Sequence, residues 1–205
     1  MDPTPAGFVN DALSRLVRTE IQSANRALIR TLVTAAYAGD GFASEFVGTP
    51  RETLTLFAKA TPTQLNTIYK LGFPVWDVEL STADLAKELK GEGTITRGPN
   101  ALPQHALSQL VRAEIQETNK ALIRALVAAA TDGDTLLQAI TGVSKQMLDL
   151  FAGARQSQLV PLIGTCRPLW AFRFSAPDLA KALLDGEIGT TAVTHRFLAG
   201  LGGRN

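Results

Sequence analysis

Most of this chain is written twice, and that repetition constrains its fold more than any other feature. Leu-Val-Arg-Thr-Glu-Ile-Gln-Ser-Ala-Asn-Arg-Ala-Leu-Ile-Arg (16–30) returns as Leu-Val-Arg-Ala-Glu-Ile-Gln-Glu-Thr-Asn-Lys-Ala-Leu-Ile-Arg (110–124). A constant spacing of 94 residues carries Asn25 onto Asn119, Leu56-Phe57-Ala58 onto Leu150-Phe151-Ala152, and Trp76 onto Trp170. It also carries Gln64-Leu65 onto Gln158-Leu159 and Asp84-Leu85-Ala86-Lys87 onto Asp178-Leu179-Ala180-Lys181. The alignment needs no gap from Leu13 to Leu89. The structural unit is therefore half the chain, present twice.

Periodicity outlines the unit. Leu13, Leu16, Val17, Ile21, Ala24, Leu28, Leu32 and Ala35 recur at three- and four-residue steps, so a helix is expected from Asp11 to Tyr37, capped by Asn10 or Asp11 and ended by Gly39 and Gly41. A short helical turn is expected over Phe42–Val47 and a helix over Pro50–Lys59 with Thr49 as its cap. A third short helix runs to Leu71 from Thr61-Pro62. In Pro74–Leu80 the period changes to two, which predicts a half-buried strand. Ser81-Thr82 then caps a helix over Ala83–Lys90.

The second copy predicts a long helix at Gln104–Thr131, helices at Ser144–Ala152 and Gln156–Ile163, a strand at Leu169–Phe174 and a helix at Ala176–Leu184. One more helix, Thr190–Leu201, follows only here. The domain plan is a lead-in at 1–10, a first repeat at 11–90, a linker at 91–102, and a second repeat at 103–205.

Composition excludes several classes. Hydrophobic content of 45% with 19% charged residues is that of a globular chain. No apolar run is long enough to cross a bilayer, and the N-terminal Met-Asp-Pro-Thr-Pro does not look like a secretory signal. With one cysteine, Cys166, no internal disulfide is expected, which favours a cytoplasmic location. A net charge of +1 is unlike that of a stand-alone DNA binder, so any action on nucleic acid requires a partner to supply positive surface. His105 and His195 are the only histidines, neither is repeated, and no nucleophile–base, metal-ligand or phosphate-cradle pattern is present. The expectation is no enzyme, no cofactor and no metal.

Several residues carry two readings each. Trp76 and Trp170 read as partner anchors or, preferably, as plugs between the strand and the long helices. Asn25 and Asn119 read as buried polar groups fixing the pairing register of the long helices, or as solvated residues at the edge of the apolar face. Arg18, Arg26 and Arg30, repeated as Arg112, Lys120 and Arg124, form either a phosphate-binding ridge or a wet helix face. Thr190, Thr191, Thr194, His195 and Arg196 line one side of the last expected helix and are the best DNA candidates, with Arg173, Lys181 and Arg204 nearby. The alternative there is a helix that docks through Val193, Phe197 and Leu201.

The second copy resembles the FlhD family of flagellar transcriptional regulators. Thr118-Asn119-Lys120-Ala121-Leu122-Ile123 is similar to the middle of that family's long helix. Ile140–Met147 resembles its Leu-Gly-Ile-Ser/Asn-x-x-Met segment, and Phe151–Leu162 the Leu-x-x-Leu-Thr-x-x-Gln-Met/Leu-Val-x-Leu stretch that follows. Phe172-Arg173-Phe174 matches its Phe-Arg-Phe after a short strand. Asp178–Leu184 and Thr190–Leu201 take the place of its closing helix-turn-helix-like pair. The likeness covers most of Leu107–Leu201; the first copy matches loosely, with Val78-Glu79-Leu80 in place of Phe-Arg-Phe.

The resemblance implies a mainly α fold in which two FlhD-like units (long helix, short helices, short strand, helix) form an intramolecular pseudo-dimer. Ile21, Asn25, Leu28 and Trp76 would meet Ile115, Asn119, Leu122 and Trp170 across its interface. It further implies a cytoplasmic bacterial transcription activator for flagellum biogenesis, joined to an FlhC-like subunit, bound to promoter DNA and recruiting RNA polymerase, with room for further self-association. The rival expectation is a protein–protein adaptor that has lost DNA. Trp76 and Trp170 stand where family members often have a cysteine, so the family's inter-subunit disulfide is lost.

Overall fold

A computed structural model describes residues 5–38, 41–71, 73–93, 95, 106–133, 138 and 142–185. Among them are nine helices and one two-stranded sheet, so the protein is mainly helical. The first half holds α1 (Pro5–Ala38), α2 (Gly41–Val47), α3 (Arg51–Lys59), α4 (Pro62–Tyr69), β1 (Trp76–Val78) and α5 (Thr82–Leu89). The second holds α6 (Ala106–Asp132), α7 (Lys145–Gly153), α8 (Gln156–Gly164), β2 (Trp170–Phe172) and α9 (Ala176–Asp185). Apart from residue 138, the segment corresponding to α2 lies outside the described residues, as does the expected helix Thr190–Leu201.

Local chemistry explains most boundaries. Thr61 closes a reciprocal capping box with Gln64 at the start of α4, and Ser81 and Ser144 accept the Asp84 and Met147 amides at the starts of α5 and α7. Gly91, at φ 76°, ends α5 as its amide and that of Glu92 turn back onto the Glu88 and Lys87 carbonyls. Two expectations need correction. The first helix begins at Pro5, so Asn10 and Asp11 lie inside α1 and not at its start; a proline suits an opening turn, where no amide is needed. Thr49 does not cap α3: Pro50 occupies the cap position, and the Thr49 hydroxyl donates to the Val47 carbonyl at 3.3 Å.

Among the described elements, the long helices α1 and α6 form the largest contact. Val17, Ile21, Ala24, Leu28, Leu32 and Ala35 of α1 are buried, as are Val111, Ile115, Leu122, Leu126 and Ala129 of α6. All belong to one hydrophobic cluster that also takes in Phe57, Leu85, Phe151, Leu179, Trp76 and Trp170. A single core thus spans both halves. Removing one such side chain costs the transfer energy of its buried surface plus that of the cavity left behind.

The remaining packing is exchanged between halves. α5 packs on α7 and α8 of the second half, while α9 packs on α3 and α4 of the first. β1 and β2 pair antiparallel, with Trp76 opposite Phe172, Asp77 opposite Ala171, and Val78 opposite Trp170. The register is therefore centred on Asp77 and Ala171, which are themselves 94 residues apart. Outside the strands the Glu79 amide reaches the Leu169 carbonyl at 2.9 Å, and the Arg173 amide reaches the Val75 carbonyl at 3.0 Å.

Candidate functional site

The seam between the halves holds the densest set of specific side-chain contacts. Its two inner posts are asparagines. Asn25 is fully buried on α1; its Nδ2 donates to the carbonyls of Phe73 (2.9 Å) and Leu71 (3.4 Å), and its Oδ1 accepts the Val75 amide at 3.1 Å. Asn119 repeats the set: Nδ2 donates to Arg167 (2.9 Å) and Thr165 (3.2 Å), and Oδ1 accepts from Leu169 at 3.1 Å. One turn earlier, Gln22 Nε2 donates to the Lys70 carbonyl at 2.9 Å and Gln116 Nε2 to the Gly164 carbonyl at 2.7 Å. Neither expected reading of the asparagines describes these contacts. Each side chain is buried, and each ties the loop before a strand to the long helix of its own half. An amide side chain carries the two N–H donors and the carbonyl acceptor these contacts use, which no hydroxyl supplies.

A second amide pair joins the halves. Gln64 Oε1 accepts the Thr61 amide at 2.8 Å, and its Nε2 donates across the seam to the Leu183 carbonyl at 2.6 Å, in the last turn of α9. Gln158 does the same in reverse: its Oε1 accepts the Arg155 amide at 2.8 Å, and its Nε2 donates to the Leu89 carbonyl at 2.6 Å, at the end of α5. Carbonyls in the last turn of a helix have no intrahelical partner, so each glutamine satisfies one while capping its own helix. These seam residues were missed from sequence, although the repeated Gln-Leu at 64–65 and 158–159 was the available signal.

Among the described residues four seam contacts are not repeated, one of them an exposed 3.5 Å hydroxyl contact between Thr82 and Ser144. Thr31 and Thr118 share a buried hydroxyl–hydroxyl bond of 2.8 Å between α1 and α6, whereas the corresponding positions are Ala125 and Ala24. Arg30 pairs with Glu114 at 2.5 Å. Arg173 donates to Asp77 Oδ1 through Nε (2.9 Å) and Nη2 (2.6 Å), and through Nη1 to the Pro74 carbonyl at 3.1 Å. Arg173 was a DNA candidate; in the structure its guanidinium is engaged by the opposite strand and the loop before it.

The remaining candidates divide. Trp76 and Trp170 are 1% and 2% exposed, which is core packing and leaves no face for a partner. Ile21, Leu28, Ile115 and Leu122 are buried. Of the basic ridge, Arg26 lies 5.6 Å over the Tyr69 ring, Arg30 is paired with Glu114, and Lys120 contacts Glu117 at 3.3 Å; Arg18 and Arg124 are exposed. Burial pushes the Tyr69 hydroxyl above its ordinary pKa, while Arg26 and Arg30 pull it down. Lys181 is exposed on α9. Thr190, Thr191, Thr194, His195, Arg196 and Arg204, with His105, lie outside the described residues.

Cys166 is buried, with Gln116 Nε2 3.7 Å from its sulfur. Among the described residues no cluster of His, Cys, Asp and Glu could hold a metal ion, and no helix is long and apolar enough to cross a membrane. Comparison with protein-family models, curated proteins and solved structures returns no match to this chain.

Proposed function

We propose that this chain is a tandem FlhD-like transcriptional regulator subunit, an intramolecular pseudo-dimer that works in a hetero-oligomer with an FlhC-like protein on promoter DNA. The observation that carries the pseudo-dimer is the reciprocity of the seam. Gln64 reaches Leu183 as Gln158 reaches Leu89, and the strands pair about Asp77 and Ala171. Two identical subunits related by a two-fold axis would make each contact twice in this way. The regulatory role rests on the ordered likeness of Leu107–Leu201 to the FlhD family. In this reading the protein is cytoplasmic and not an enzyme, the partner supplies much of the positive surface, and the assembly recruits RNA polymerase at flagellar promoters.

Within that assembly, Thr191, Thr194, His195 and Arg196 contact DNA, with Lys181 beside them. Arg173 drops out of the DNA-facing set, because it is engaged by Asp77. The test is an electrophoretic mobility assay at low salt on the chain purified together with its FlhC-like subunit. A shift that fades steeply with salt is expected, and Arg196→Ala should weaken it. If no such complex forms, the regulator reading fails.

The second reading, a protein–protein adaptor that has lost DNA, is favoured by the engagement of Arg173 and by the net charge of +1. A stable complex that ignores promoter DNA would establish it in place of the first.

A further inference from the structure

The repeated contacts of the seam cannot tell one half from the other. Gln64, Gln158 and the backbone ladder between the strands would form in any pairing of halves, like or unlike. Arg30 and Glu114 do not discriminate either, since Arg124 and Glu20 stand at the corresponding places. Discrimination has to come from positions where the copies differ, and two such positions lie at the centre of the seam.

The first is the strand pair. Asp77 faces Ala171, and Arg173, at the place corresponding to Glu79, donates twice to Asp77. Two first halves would set Asp77 against Asp77 with a Glu79 beside each, and like charges directly opposed on a ladder are destabilising. Two second halves would set Ala171 against Ala171 and leave two Arg173 side chains without the carboxylate that this residue, 24% exposed, has in the present pairing. The second position is the helix crossing. Unlike halves place Thr31 on Thr118, with Ala125 and Ala24 at the corresponding places, whereas like halves would place a threonine against an alanine twice and lose the buried 2.8 Å hydroxyl bond.

We propose that the seam is coded for unlike halves: the first half recognises the second in preference to another copy of itself. Association of two molecules through their like halves is thereby disfavoured. This inference rests on the pseudo-dimer reading above.

The test begins with the full chain carrying a protease site within residues 96–102. The folded protein is cut, unfolded in urea, refolded as the equimolar mixture and weighed by native mass spectrometry. Random assortment gives unlike pairs at twice the amount of each like pair. Unlike pairs are expected to exceed that ratio by at least about tenfold, the effect of a few such contacts acting together. A random or like-paired distribution overturns the specificity and spares the pseudo-dimer; pieces that never reassociate overturn both. A second measurement needs no cutting. Ala171→Asp with Arg173→Glu makes both sides of the seam resemble the first half, and Asp77→Ala with Glu79→Arg makes both resemble the second. Each intact double variant should unfold with an equilibrium constant at least about tenfold higher than the parent; urea midpoints equal to the parent's in both would overturn the proposal.

Discussion

The asparagine loops and the paired strands occupy corresponding places in both halves, yet they have been treated differently. Asn25 and Asn119 make the same three bonds to the same three places in their own loops, with lengths agreeing to within about 0.2 Å. Along β1 and β2 the same spacing pairs Asp77 with Ala171 and Glu79 with Arg173. A contact inside one half serves a fixed local need, a loop whose amide and carbonyls must be satisfied away from water, and there the copies stayed alike. A contact across the seam has a partner that can change with it, and there they diverged. What is shared builds the unit and, through Gln64 and Gln158, part of the seam; Asp77 and Arg173 add a contact that only one pairing makes.

Substitutions sharpen this contrast, beginning with the core that both halves share. Leu28→Ala and Leu122→Ala should each cost about 2–5 kcal/mol in urea unfolding, because each side chain is buried in the common cluster. A single cooperative transition should persist; two separate transitions would mean that the halves do not share a core. Next come Asn25→Ala and Asn119→Ala, which strand buried backbone groups and should cost about 2–4 kcal/mol each. The two losses should agree closely, and a large inequality would break the claim that the loops are interchangeable.

The bridging glutamines come third. Gln64→Ala and Gln158→Ala each remove a helix cap and a bond across the seam, for about 1–2 kcal/mol each by the same measurement. Smaller again is Arg173→Ala. Asp77 is half exposed, so the ion pair is screened and its loss should cost about 1 kcal/mol or less. If the variant leaves stability untouched but abolishes DNA retention in the complex, Arg173 belongs with Arg196 after all.

The smallest effect concerns Tyr69, whose pKa is raised chiefly by burial against the opposing pull of Arg26 and Arg30. A phenol harder to ionise when folded than when unfolded contributes stability that is complete below the unfolded pKa, near 10, and is lost as pH rises through the folded value. Tyr69→Phe should therefore flatten part of the decline in thermal midpoint above about pH 10 and leave it unchanged at pH 7. Its second-half counterpart is Ile163, so this pH response belongs to one half only.

The sequence by itself determined the repeat, the order of the described elements and most of the buried faces of the long helices, although Leu16, read onto that face, is 50% exposed. These follow from periods of three to four residues and of two, and from caps such as Thr61 and Ser81 that act within one turn of chain. It misplaced Thr49 as a cap because the residue type suits the task, although here its hydroxyl bonds a nearer carbonyl. It left the role of Asn25 open because that partner loop lies some 46–50 residues away. Above all, a repeated sequence leaves own-half and other-half packing equally consistent with the same pattern. Nothing in residue order separates Gln64 meeting Leu89 from Gln64 meeting Leu183, since the two leucines end segments that differ only at Glu88 and Ala182. Only the tertiary structure decides between them, because the choice depends on how the long helices cross and where the strands meet, and neither leaves a local trace in residue order.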